Sequence, residues 1–281
     1  MTPELPAHLI DEIVKRALDE DLAAGDVTTE ACIDATMTAT ARAVARSSLV
    51  VCGAPVLVRV FWAIDQEIRI TRELADGARA QAKTTLWTIT GRARSILMGE
   101  RIALNFVQRM SGTATLTRAF VDGVPAGLPT RITDTRKTTP GLRALERYAV
   151  RVGGGRNHRD NLGAAVLIKD NHIAASGGIG EAIARARASA PHTSKVECEV
   201  DSLGQLDEAL HAGADIVLLD NMDTATLAEA VRRAKGKALT EASGGITLAR
   251  VAELARVGVD AISVGALTHS APAVDIGLDF E

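Results

Sequence analysis

Lys169 closes the apolar run Val166-Leu167-Ile168, and Asp220 closes Ile216-Val217-Leu218-Leu219. Glu199 ends Val196-Glu197-Cys198, and Ser243-Gly244-Gly245 follows Ala238-Leu239-Thr240-Glu241-Ala242. Gly265-Ala266-Leu267-Thr268-His269 follows Ala261-Ile262-Ser263-Val264, while Asp134-Thr135-Arg136-Lys137 and His158-Arg159 flank the earlier runs. Strands of a parallel sheet are buried on both faces and read as nearly unbroken apolar runs. The loops at their carboxyl ends converge, so polar residues there line one mouth. That mouth gathers Arg136, Lys137, His158, Arg159 and Lys169 as cationic or potentially cationic groups, with Glu199 and Asp220 deep among them. Such a set suits a substrate with several phosphate and carboxylate groups. Arginine forks onto planar carboxylates, and lysine acts as a compact charge toward phosphate. The Ser-Gly-Gly and Val-Gly-Ala-Leu segments would offer backbone N–H groups to a further phosphate.

Each feature also has a plainer reading. Asp134-Thr135-Arg136-Lys137 alone reads as a solvated loop, and Ser243-Gly244-Gly245 alone as a turn before a helix. Lys169 and Asp220 resist that treatment, because each ends a run expected to be buried and an unpartnered buried charge is costly. Gly153-Gly154-Gly155 reads as a flexible turn and not a dinucleotide fingerprint, since no strand precedes it. His8, His192 and His211 read as surface residues. Arg101 falls between Leu97 and Leu104 at the edge of a helical apolar stripe. It is either a snorkelling side chain or an arginine that projects across a subunit interface.

Composition narrows the classes. The 281 residues suffice for one large domain or two modest ones, and 47% hydrophobic with 24% charged residues is an ordinary globular balance. Seven aromatics argue against recognition by base stacking. A net charge of −3 argues against nucleic acid or an anionic membrane as partner, so any anion is handled by a local cluster. Cys32, Cys52 and Cys198 stand apart without metal-like spacing, which fits a reduced, cytoplasmic setting. The acidic, amphipathic start does not read as a signal peptide. The apolar stretch 49–64 is broken by Gly53, Pro55 and Arg59 and is too short for a membrane span.

The elements that must position the charged set come in two textures. Ile10, Ile13, Val14, Ala17 and Leu18 keep helical spacing after Pro6, and Gly25-Asp26-Val27-Thr28-Thr29 punctuates. Short β-like segments follow at 43–51, 68–71 and 86–89, with a turn at Ala75-Asp76-Gly77, then a long helix after Gly91. From residue 130 onward strands at 130–134, 164–169, 195–200, 215–220, 238–242 and 260–264 alternate with alanine-rich helices such as 178–188, 203–212 and 224–234. Six units are too few for a complete eightfold barrel. The expected class is α/β, with a sheet-containing first domain and an incomplete, irregular parallel α/β barrel.

In order and at compatible spacing, the motifs resemble the quinolinate phosphoribosyltransferases, also called decarboxylating nicotinate-nucleotide pyrophosphorylases. The matching segments are Glu20-Asp21 with Gly25-Asp26-Val27-Thr28, Glu100-Arg101-Ile102-Ala103-Leu104-Asn105, Ser111-Gly112-Thr113-Ala114-Thr115 and Asp134 to Gly141. Gly153-Gly154-Gly155 with Asn157-His158-Arg159, Ile168-Lys169-Asp170-Asn171-His172, Glu199-Val200-Asp201, Leu218-Leu219-Asp220-Asn221, Ser243-Gly244-Gly245 and Gly265 to Ser270 complete the set. Thr113 stands where the family usually has isoleucine, and the Ser48-Leu49 stretch lacks a glycine often seen before Cys52-Gly53.

The resemblance implies an N-terminal α/β sandwich domain at 1–112, with 270–281 packing back on it, and a barrel at 113–269. It implies at least a homodimer, with Arg101 completing the neighbouring subunit's site. Arg101, Arg136, Lys137, His158, Arg159 and Lys169 would receive quinolinate. Lys137, Lys169, Glu199 and Asp220, the expected catalytic set, would serve phosphoribosyl pyrophosphate. Ser243, Gly244, Gly245, Gly265 and Ala266 would take its 5′-phosphate, and Mg²⁺ would be met by Glu199 and Asp220 directly or through water. The implied reaction makes nicotinate mononucleotide, pyrophosphate and CO2 for de novo NAD synthesis. Rival readings are a Schiff-base aldolase using Lys169, a phosphate-metabolite binding module, and a nicotinate-type or molybdenum-associated homologue. Five clustered cations suit a polyanion better than an imine, and the acidic pair is left without a purpose in a mere binding module.

Overall fold

The computed structural model describes residues 4–281. The chain opens with α1 (Ala7–Leu22), α2 (Val27–Cys32), β1 (Thr38–Ala45), β2 (Leu49–Val50) and α3 (Ala54–Ile64). β3 (Arg69–Arg72), β4 (Arg79–Ala80), β5 (Thr85–Arg92) and the 30-residue α4 (Ala93–Asp122) follow. Next come β6 (Arg131–Thr133), α5 (Arg143–Val152), β7 (Val166–Ile168), α6 (Asp170–Ser176) and α7 (Ile179–Ser189). β8 (Val196–Val200), α8 (Leu203–His211), β9 (Ile216–Asp220), α9 (Thr224–Ala234), β10 (Leu239–Ser243) and α10 (Leu248–Val257) continue the alternation. β11 (Ala261–Ser263), α11 (Ala266–His269) and β12 (Ile276–Phe280) close it. Two compact units emerge. One is the chain up to Arg118 with Thr138–Gly154 and Ala266–Glu281; the other is Ala119–Lys137 with Gly155–Gly265.

The first unit holds an antiparallel sheet in the order β12-β1-β5-β3. Strand side chains alternate between faces, and Ala41, Ala43 and Ala45 of β1 are fully buried while Arg42 faces out. Alanine favours strands weakly, so the sequence reading found only the second half of β1, and it joined that half to β2. α1 and α3 pack on one another, with Ile10 and Val14 meeting a core that includes Leu57, Phe61, Leu86 and Trp87. Each large side chain so buried contributes roughly 1.5–3 kcal/mol.

The start of α3 shows how loops are pinned. Its N-cap, Gly53, has φ 114° and no side chain to cap with. Asp76 supplies the missing acceptor, taking the N–H groups of Gly53 at 2.9 Å and Ala54 at 3.2 Å. Tyr148 of α5 donates its hydroxyl to the same carboxylate at 2.8 Å. Gly153 and Gly154 form a turn, where the sequence reading expected one. A Cβ at Gly153 would lie 2.6 Å from the Ala114 carbonyl oxygen and from Thr117 Cβ, so the glycine is required by close packing.

The second unit is an all-parallel sheet in the order β6-β11-β10-β9-β8-β7. Its helices bury stripes at i, i+3 and i+4 spacing, such as Leu227, Ala230 and Ala234 of α9 and Val251, Leu254 and Ala255 of α10. Ser202 caps α8 and Asp223 caps α9 by accepting the N–H three residues on. Strands two apart in a sheet are separated by roughly 9–10 Å. Even so, donor atoms of Glu197 on β8 and Glu241 on β10 come within 4.8 Å of each other and of His158. The inner face is therefore strongly concave. Among the described residues β6 and β7 do not pair with each other, and the outer edge of β6 meets Arg156 through a bridge at Thr133. The result is an incomplete barrel.

Candidate active site

At β7, β9 and β10 the barrel presents to its interior pairs of residues two apart. Leu167 and Lys169, Leu218 and Asp220, and Glu241 and Ser243 all line one cavity of about 330 Å³, joined by Glu199 and Ser263. The intervening residues Ile168, Cys198, Leu219 and Ala242 are buried on the opposite face. Parallel pairing sets the levels: Glu199 and Glu241 both lie beside Leu218, and Ser243 lies beside Asp220. Thr135, Arg136, Lys137, His158 and Arg159 complete the lining from loops after β6 and before β7.

Opposite charges are matched inside this cavity. Lys169 Nζ donates to Glu199 Oε2, and the Lys169 main-chain N–H is held by His172 Nδ1 at 2.9 Å. The run Lys169-Asp170-Asn171-His172 thus anchors the start of α6 and aims its lysine. Asp220 Oδ2 accepts from Asn221 Nδ2 at 2.7 Å. Asn221 is left-handed, with φ 55°, and Gly244 approaches it so closely that a Cβ would lie 2.2 Å from Asn221 Oδ1. The Arg159 guanidinium lies below its ordinary value, through burial first and the Arg136 charge second.

Beneath the mouth lies a buried acidic layer. Asp134 is fully buried and accepts from the His158 main chain and from Asn157 Nδ2, both at 2.6 Å, which fixes the loop that carries His158. Arg159 N–H donates to His158 Nδ1 at 2.7 Å, so Nδ1 is an acceptor and the ring proton sits on Nε2. Nε2 faces Glu197 at 3.2 Å and Glu241 at 3.5 Å. The bond to Glu197 raises the proton affinity of His158 against burial. Burial and the Glu197 charge push the Glu241 carboxyl up to about 7, with His158 opposing.

The structure brings Arg136, Lys137, His158, Arg159, Lys169, Glu199, Asp220 and Ser243 together around one cavity. Gly244, Gly245, Gly265 and Ala266 are not part of its lining. They follow β10 and β11, where Gly244 and Gly245 have φ of 91° and 56°. Arg101 lines a different cavity of about 410 Å³ in the first unit, beside Arg16, Glu20 and Asn105. Sequence reasoning missed Glu197, Glu241 and Ser263 as inward residues. Two-residue spacing back from Glu199, Ser243 and Gly265 would have found them. A larger concavity of about 600 Å³ opens among Asp215, Lys235, Lys237, Leu239, Thr240 and Asp260. Those residues begin strands or precede them, at the end of a barrel that serves stability and not chemistry.

Glu199 and Asp220 present only carboxylate oxygens, a donor set that fits a hard cation such as Mg²⁺. That ion is commonly held by one or two carboxylates, with substrate phosphates and water filling its octahedron. The His158, Glu197 and Glu241 group fits it poorly, because the imidazole nitrogen in the group carries a proton.

The chain is similar to known proteins along nearly its whole length. The family model described as quinolinate phosphoribosyl transferase, N-terminal domain, matches residues 26–111, and its C-terminal-domain counterpart matches residues 113–279. The nicotinate-nucleotide pyrophosphorylase (carboxylating) of Mycobacterium leprae is 46% identical over 275 residues, which cover 95% of this chain and 96% of that protein. A probable enzyme of the same name from Bacillus subtilis is 41% identical over 260 residues, covering 92% and 89%. The structure of the nicotinate-nucleotide pyrophosphorylase from Francisella tularensis superposes with a TM-score of 0.94 at 39% identity, covering 99% of this chain and 98% of that one.

Proposed function

Because the chain belongs to the quinolinate phosphoribosyl transferase family, we propose that it joins quinolinate to phosphoribosyl pyrophosphate. The products are nicotinate mononucleotide, pyrophosphate and CO2, as the de novo route to NAD requires. The observation that carries the reading is the single cavity in which Arg136, Lys137, Arg159 and Lys169 face Glu199 and Asp220. Four cations match a dicarboxylate beside a pyrophosphate, and two carboxylates match a sugar that turns positive.

The assigned roles follow from charge. Arg136, His158 and Arg159 receive the quinolinate carboxylates with Lys137 and Lys169, which orients the ring nitrogen toward the sugar. As pyrophosphate departs, positive charge builds at ribose C1, and Glu199 and Asp220 stabilise it directly or through the ribose hydroxyls. Mg²⁺, when held by Glu199 and Asp220, supplies charge neutralisation to the pyrophosphate. Lys137 adds a fixed charge on the same leaving group. Ser243, Gly244, Gly245, Gly265 and Ala266 take the 5′-phosphate through the ends of β10 and β11, where side-chain-free positions let backbone N–H groups approach. Once alkylated, the positive ring nitrogen stabilises the electron pair that the departing 2-carboxylate leaves on C2, so no further electron sink is needed. The reading extends to a cytoplasmic homodimer in which Arg101 reaches the neighbouring subunit's quinolinate. No helix among the described residues is long and apolar enough to cross a membrane.

The test is incubation with phosphoribosyl pyrophosphate and Mg²⁺ plus quinolinate, nicotinate or neither, with CO2 and nucleotide both followed. Nucleotide and CO2 in equal amounts with quinolinate alone are expected. Nucleotide from nicotinate, or a borohydride-trapped adduct on Lys169, would replace this reading with one of its rivals.

A further inference from the structure

A carboxyl group at the floor of a cavity built for a dianion is electrostatically out of place if it is ionised. Glu241 occupies that position. It lines the cavity, is only 6% exposed, and its Oε1 makes no hydrogen bond. Two negative neighbours, Glu197 from β8 and Asp134 from the loop after β6, face it, with His158 between. Leu218 beside it on β9 brings no charge, and from β11 it meets the uncharged Ser263. Glu197 is the nearer acceptor for the His158 Nε2 proton, at 3.2 Å against 3.5 Å for Glu241. The proton of this cluster therefore resides on Glu241, whose raised affinity agrees with the geometry.

We propose that Glu241 is the acid that delivers a proton to the ring carbon vacated by CO2. The inference rests on the reaction assigned above. The C2–carboxylate bond breaks, its electron pair stays on C2 beside the positive ring nitrogen, and CO2 leaves. Until that pair takes the Glu241 proton to form the C2–H bond, CO2 can recombine with it, so protonation commits the step; the Glu241 carboxylate recovers a proton from water as product departs. Competing donors in the cavity are committed elsewhere. Lys169 is paired with Glu199 and, with Lys137, neutralises substrate anions in the assignment above, which holds the protons on both ammonium groups; arginines do not release protons, and the His158 Nε2 proton faces Glu197. A neutral acid also admits the substrate dianion without repulsion.

Glu241→Gln keeps the shape and removes the acid. In single turnovers with carboxyl-labelled quinolinate, phosphoribosyl pyrophosphate and Mg²⁺, pyrophosphate and CO2 are timed separately. Expected is pyrophosphate release within about threefold of wild type, CO2 release slowed by ~10²-fold or more, and accumulation of the undecarboxylated mononucleotide. Equal slowing of both products, or of neither, in a variant with wild-type circular dichroism overturns the assignment. The unaltered enzyme gives a second readout. Its CO2 step falls about tenfold per pH unit above about 7, while its pyrophosphate step does not, and a flat CO2 profile overturns the proposal. Wild-type enzyme that makes no pyrophosphate at all sinks the functional reading itself. Normal wild-type turnover with an insensitive variant sinks only the role of Glu241.

Discussion

Glu241 illustrates how a single residue couples chemistry to stability. An ordinary glutamate in an unfolded chain titrates near 4.3, and burial lifts this one to about 7. Between those values the folded protein binds a proton that the unfolded chain has released. Stability therefore falls as pH rises through that window, and the contribution is fully present only below it. Glu241→Gln removes the linkage. Urea unfolding at a series of pH values is expected to show wild type losing stability relative to the variant from about pH 5 to pH 7. Parallel curves would place the buried proton on another group. Residue identities at the mouth were legible because Lys169, Glu199 and Asp220 each end an apolar run. Glu197 and Glu241 were missed, since they sit inside such runs and only the two-residue spacing from Glu199 and Ser243 marks their face.

Among the elements, the turn between β10 and α10 is tightly constrained. Gly244 is left-handed at φ 91°, and a Cβ there would lie 2.7 Å from the Asn221 backbone nitrogen, which does not yield. Gly245 is left-handed at φ 56°, with open space around it. Gly244→Ala is expected to cost about 3 kcal/mol, through steric overlap added to backbone strain, and Gly245→Ala about 1 kcal/mol. Chemical denaturation of the two variants checks the order, and equal costs would show that backbone strain alone governs the turn. The strand and helix alternation after residue 130 was readable because buried parallel strands are apolar throughout. β1 was half-missed because its core face is alanine, and α5 was not anticipated. The packed glycine at 153 looked like a loose turn in sequence.

For the whole molecule, a net charge of −3 coexists with a cavity ringed by four cations. Overall charge argues against a polyanionic macromolecule without arguing against a small polyanion. The proposed assembly is testable at this scale. An Arg101→Ala chain and a Lys169→Ala chain are each expected to lose at least ~10²-fold of turnover alone. Mixed and allowed to exchange subunits, they are expected to regain about a quarter of wild-type activity per dimer site. That figure follows from random pairing when one of the two sites in a hybrid is intact. Absence of recovery despite exchange, shown by differently tagged chains, would place Arg101 outside the neighbouring site.

The sequence alone determined the α/β class, the parallel strand run, and the charged residues that end those strands. These follow from local periodicity and from the cost of burying charge, both written residue by residue. Only the tertiary structure decided that Glu197, Glu241 and His158 meet across nonadjacent strands, and that Arg101 opens onto a cavity of its own unit. Curvature of the sheet and the order of its strands set those distances, and both are properties of the folded chain as a whole.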